Sequence, residues 1–148
     1  DWARADIAIA MAKAGMFERS LDMMRSIDDD DSRNFALGDI AIAMAEAGIV
    51  ERALETARYI EDHDFRVFAI ASILAIDGRF EQAIDAARGI DLYVPRRLAF
   101  EYILIGLAED GMVERALETA RGIEDDFERN FALGDIATGL AEAGMVER

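Results

Sequence analysis

Residues 33–52 read RNFALGDIAIAMAEAGIVER, and residues 129–148 read RNFALGDIATGLAEAGMVER. The two stretches differ only at Ile42/Thr138, Ala43/Gly139, Met44/Leu140 and Ile49/Met145, so 16 of 20 positions match. Weaker copies of the same segment occupy the rest of the chain. A large apolar residue followed by alanine opens each copy, at Trp2, Phe35, Phe68, Leu98 and Phe131, with steps of 33, 33, 30 and 33 residues. Gly15, Gly48, Gly78, Gly111 and Gly144 form a second marker, with steps of 33, 30, 33 and 33. A period of about 20–50 residues means stacked supersecondary units, none able to bury its apolar face alone. Five units follow: 1–30, 31–63, 64–93, 94–125 and 126–148. The last stops at Val146-Glu147-Arg148, where the fourth runs on through Ala116 to Arg121, so the chain reads as a piece of a longer array.

The second unit shows the anatomy. Leu37, Ile40, Ala41 and Met44 lie at i, i+3, i+4 and i+7, one stripe of a helix over Phe35 to Ala47. Asp29, Asp30, Asp31 and Ser32 precede it as a polar loop offering N-caps. Gly48 closes it, as a residue in left-handed conformation does. Val50, Ala53, Leu54, Ala57 and Ile60 mark a shorter second helix, and the loop between is short enough to force the pair antiparallel. Small residues recur where the two helices cross: Ala8, Ala41, Ala71 and Ala137 on first helices, Ser20, Ala53, Ala83 and Ala116 on second helices. Pro95 suits the first helical position of the fourth unit. The third unit lacks three residues between Phe68 and Gly78, close to one helical turn, which keeps its apolar face in phase and dents the surface. No stretch alternates as a strand does, so the fold class is all-α.

Composition narrows the function. Net charge is −15, from 31 acids against 16 bases, and the only lysine is Lys13. Nucleic acid is disfavoured as a partner because phosphates need clustered Lys and Arg, and an anionic membrane surface is disfavoured for the same reason. A basic partner is favoured. There is no cysteine, which removes disulfides and thiolate chemistry. No apolar run reaches the length of a membrane span and no signal-peptide pattern occurs, so a cytoplasmic setting is expected.

The Gly-to-Ala spacing within Ala45–Leu54 and Ala108–Leu117, on a 33-residue period, resembles the tetratricopeptide and pentatricopeptide class of helix-turn-helix repeats. The resemblance implies a right-handed αα superhelical solenoid of about four and a half repeats. It also implies a concave face lined by first helices, where such repeats bind peptides or proteins. Carried onto this chain, the groove candidates are Trp2, Phe35, Ile42, Glu46, Phe68, Leu98, Glu101, Ile105, Glu109 and Phe131. Gly38, Ala45, Ala108, Gly134, Thr138, Ala141 and Glu142 occupy matching positions.

The ladder Trp2, Phe35, Phe68, Leu98 and Phe131 has two readings: anchors for a partner's apolar side chains, or core packing, the commoner use of such a stripe. A second ladder, Arg25, Arg58, Arg88 and Arg121, follows acids by three residues at Asp22, Glu55, Asp85 and Glu118, a spacing for surface ion pairs. The acidic loops at 28–31 and 61–64 lack the spaced ligands of a calcium loop, and His63 is the only histidine, so no metal, cofactor or nucleophile site is expected. The expected function is a non-catalytic protein–protein interaction scaffold. The alternatives are a regulatory or accessory repeat domain of a larger protein and, disfavoured by charge, an RNA-binding repeat. Self-association through exposed repeat ends is also expected, with Phe131, Ile136 and Leu140 left uncovered.

Overall fold

A computed structural model describes residues 1–144. Residues 145–148, where the sequence leads one to expect the start of the fifth unit's second helix, lie outside the described residues. Nine helices occur among those described: α1 Trp2–Lys13, α2 Phe17–Met24, α3 Asp30–Glu46, α4 Val50–Ala57, α5 His63–Ile76, α6 Phe80–Arg88, α7 Tyr93–Glu109, α8 Val113–Arg121 and α9 Asp126–Glu142. They pair as antiparallel hairpins, α1 with α2 through α7 with α8. The odd-numbered first helices also stack on one another in order, and each second helix leans on the first helix of the next unit. No helix among the described residues is long and apolar enough to cross a membrane.

First helices end as expected. Gly15, Gly48, Gly78, Gly111 and Gly144 all have φ between 71° and 85°. After Gly15, Gly48, Gly78 and Gly111 the next residue donates its N–H five residues back, as Ile49 does to the Met44 carbonyl at 2.9 Å, the mark of a Schellman motif. The starts differ from expectation. α3 begins at Asp30 rather than Phe35, because the Asp29 carboxylate accepts the Ser32 N–H at 2.8 Å. Asp62 and Asp125 cap α5 and α9 in the same way. α7 has Leu92 as its N-cap and Pro95 at its third position rather than its first. Proline has no N–H for a capping acid to take, so a leucine is tolerated there.

The second helices are shorter than the apolar stripe suggested. α4 stops at Ala57, and Ile60 is buried beyond it in a turn closed by i→i−3 bonds. Ile27, Ile90 and Ile123 stand in the same place. Each of these isoleucines is held by an arginine six residues later. Arg33, Arg66, Arg96 and Arg129 donate to the carbonyls of Ile27, Ile60, Ile90 and Ile123 at 3.0, 2.9, 3.1 and 2.7 Å.

Crossing positions are tight. Ala8, Ala41, Ala53, Ala71, Ala83 and Ala116 are buried, and the Ser20 hydroxyl donates to the Ala8 carbonyl at 2.7 Å. Ala137 is instead exposed, since no described second helix covers it. Ile136 is buried, contrary to expectation, because it faces back into the second of two apolar clusters, which also holds Ile103 and Leu107 of α7. The closest approach is at Gly139, where an added Cβ lies 2.7 Å from the Ala108 Cβ and from the Ile105 carbonyl oxygen. Gly139→Ala is expected to destabilise by about 1–3 kcal/mol despite its better helix propensity. Gly134→Ala, with nothing within 4 Å, is expected to stabilise by roughly 0.5–1 kcal/mol. Urea unfolding of the two variants against the parent checks both signs.

Candidate functional site

The helix hairpins put the first helices side by side, so residues at one register on successive units form rows across their shared surface. One groove of about 800 Å³ opens there. Its floor is apolar: Phe68 and Ile76 of α5, Leu98, Tyr102 and Ile105 of α7, and Phe80 of α6. Its walls are acidic: Asp39 and Glu46 on one side, Glu101, Glu109, Asp110 and Glu142 on the other, with no Lys or Arg in the lining. The third unit accounts for the gap between the walls. Counted from the closing glycine, Ile76 stands where Glu46, Glu109 and Glu142 stand.

The carboxylates interfere with one another. Glu109 is raised above the ordinary glutamate range, first by its hydrogen-bonding approach to Glu142, then by partial desolvation and the neighbouring charges. Asp39 is raised by burial and by Glu46, with Lys13 opposing. The Tyr102 hydroxyl is pushed up to about 12 by burial and by Glu46, Asp39 and Glu101. Beside the groove Asp135 is pushed up to about 6, chiefly by burial and then by Glu101, with Arg97 opposing.

Of the ten groove candidates, Glu46, Phe68, Leu98, Glu101, Ile105 and Glu109 are brought together here. Trp2, Phe35 and Phe131 lie outside this groove and are exposed; Phe68 and Leu98 are half-buried. No member of the ladder is therefore buried core. Trp2 and Phe35 meet edge to face at 5.5 Å, and the Arg97 guanidinium sits 4.7 Å over the Phe131 ring. Ile42 is corrected: it is buried in the first apolar cluster with Ile40 and Met44 and offers no surface.

Sequence reasoning missed Asp39, Tyr102 and Asp135. They share one register, four residues after Phe35, Leu98 and Phe131, with Asp6 in the same row. That spacing was readable, but nothing in it marks a polar residue as facing a groove. The arginine ladder was also misassigned. Among the described residues only Arg25 meets its acid, at 3.7 Å from Asp22 with both side chains largely exposed. Arg58, Arg88 and Arg121 make no such pair. The stronger ties run between units: Arg115 to Glu81 at 2.7 Å through two nitrogens, Arg52 to Glu18, and Arg96 to the buried Glu128.

A smaller concavity of about 470 Å³ lies by Arg88, Thr119 and Glu128, and its Arg96 and Glu128 already satisfy each other. Among the described residues no three metal-ligating side chains converge. No protein-family model matches the chain, and no curated protein matches it.

Asp135 provides a check on the electrostatics. Its folded pKa of about 6 exceeds the unfolded value of about 3.9. Ionisation at neutral pH therefore opposes folding, and the penalty is relieved as the pH falls through 6 towards 4. Asp135→Asn is expected to be more stable than the parent at pH 8, with the difference shrinking to little by pH 4. Urea midpoints measured across that range test the sign.

Proposed function

We propose that the chain is a non-catalytic interaction module, a tetratricopeptide-like αα solenoid whose first-helix groove binds a basic, partly apolar peptide segment of another protein. The observation that carries this is the groove's composition: two acidic walls around an apolar floor, with no basic residue in the lining. The floor offers Phe68, Leu98 and Ile105 to a partner's apolar side chains, and the walls select cationic neighbours by charge. The shortened third unit supports this placement, since α5 supplies Ile76 in the register where α3, α7 and α9 carry Glu46, Glu109 and Glu142. The same walls repel phosphates, which weighs against an RNA-binding reading.

Fluorescence anisotropy with a labelled peptide of alternating lysine and leucine tests the reading. Binding is expected near neutral pH and low salt, and to weaken as salt screens the charges. It is also expected to weaken as the pH falls, because Glu109 and Asp39 are held above the ordinary carboxylate range and protons there compete with the cation. The double variant Glu109→Gln, Glu142→Gln is expected to lose about tenfold in affinity, or ~1.4 kcal/mol. Equal binding of a glutamate–leucine peptide sinks the proposal.

A further inference from the structure

Across the α7–α9 step the chain holds a cation of its own on a ring. The Arg97 guanidinium lies 4.7 Å over the Phe131 ring and 3.6 Å from the Glu101 carboxylate, one turn along its own helix. A guanidinium suits such a place, since it is planar and weakly hydrated and can offer a face to a ring and an edge to a carboxylate at once.

The α3–α5 step has the ring without the cation. Phe68 of α5 stands in the register of Phe131. On α3 the register of Arg97 holds Asn34, and that of Glu101 holds Gly38. Asn34 is neutral and buried, and its side-chain carbonyl accepts the Glu61 N–H at 3.1 Å. Phe68 is only half-buried and lines the groove. Both α5 and α7 have a described first helix on either side, so this opening lies in the interior of the stack. Tyr102 of α7 adds a second ring, 6.4 Å from Phe68 between centroids with the planes inclined by 56°. Asp39 and Glu46 of α3 line the groove as well, and their charges act on the Tyr102 hydroxyl from the far side of α5. Glu101 is already engaged by Arg97, and no Lys or Arg lines the groove.

We propose that an arginine of the bound peptide fills this place, its guanidinium on the Phe68–Tyr102 ring pair and its edge toward Asp39 and Glu46, as Arg97 sits on Phe131 beside Glu101. The inference rests on the groove reading and deepens it: the acidic walls attract any cation, and the rings choose among cations. Lysine is the poorer occupant, because its ammonium is a compact, strongly hydrated charge with no flat face to lay on a ring.

Fluorescence anisotropy with two labelled peptides of equal length and charge, one of alternating arginine and leucine and one of alternating lysine and leucine, is the test. At neutral pH and low salt the parent is expected to bind the arginine peptide about five- to tenfold more tightly. Phe68→Leu and Tyr102→Leu each keep an apolar side chain and remove one ring, and each is expected to bring that ratio below about twofold. Tyr102→Phe keeps the ring and should keep the ratio. The ratio is read within one protein, so a general loss of affinity or stability does not move it. The rings are removed separately, so either variant with parent-like helicity decides. Equal affinity of the parent for the two peptides overturns the inference and leaves the groove reading standing. An arginine preference that survives the loss of either ring also overturns it, since the walls alone then produce it. Binding of neither peptide overturns the groove reading, and the inference with it.

Discussion

Every described joint between units closes on the same bond, an arginine guanidinium held against the isoleucine carbonyl in the turn that follows the preceding second helix. Past each second helix the chain turns on a buried isoleucine, whose carbonyl needs a partner because burial makes an unpaired one costly. Arg33, Arg66, Arg96 and Arg129 supply it from the first turn of the next first helix. One bond thus pins the turn and holds its isoleucine as a buried plug. It also fixes where the next first helix begins. The stacking of first helices, and so the groove they share, follows from that fixed entry. Side chains on the same turns answer in the other direction. Asp1, Asn34 and Asp64 accept backbone N–H groups of the following loop, at 3.0 Å for Asp29, 3.1 Å for Glu61 and 3.0 Å for Leu92. In the third unit Val67 stands in the register of Asn34 and cannot accept, and Asp64, one turn earlier, takes over.

The repeat, the helix pairs and the glycine stops were legible because each rests on a local rule: periodicity, turn chemistry and the freedom of glycine at positive φ. The arginines show where such rules run out. Arg25, Arg58, Arg88 and Arg121 recur with the same steps as the arginines that join the units, so periodicity cannot rank them. Only the return of the chain past the isoleucine carbonyls gives one set a buried partner and leaves the other in water. Ile42 and Ile105 make the same point for the groove. They share a register, yet Ile42 is covered and Ile105 is half-buried on the groove floor, because burial depends on the neighbouring unit rather than the residue's own.

The third unit connects the two apolar clusters and breaks several rows at once. Its first helix has 14 residues where α3, α7 and α9 have 17. Gln82 replaces the arginine that Arg52 and Arg115 supply, so the inter-unit pair made at Glu18 and Glu81 has no counterpart at Glu51 among the described residues. Ile76 interrupts the acidic row. A regular array would carry one even stripe of negative charge. The irregular unit divides it into two walls and puts an apolar surface between them.

The acids themselves divide by position. Asp29, held by Ser32, Asp64, held by the Leu92 N–H, and Glu81, held by Arg115, sit at joints and are lowered below their ordinary range. Those on the first-helix face, Asp39, Glu109 and Asp135, are raised: Glu109 first by its approach to Glu142, Asp39 and Asp135 first by burial and then by Glu46 and Glu101. A carboxylate that aids folding is already matched to a donor and has little left for a partner. One that opposes folding keeps its field unspent, and an incoming cation relieves the repulsion that the fold tolerates. The raised acids cluster on the face where the first helices run side by side, and there the geometry of the joints and the excess negative charge act on the same surface.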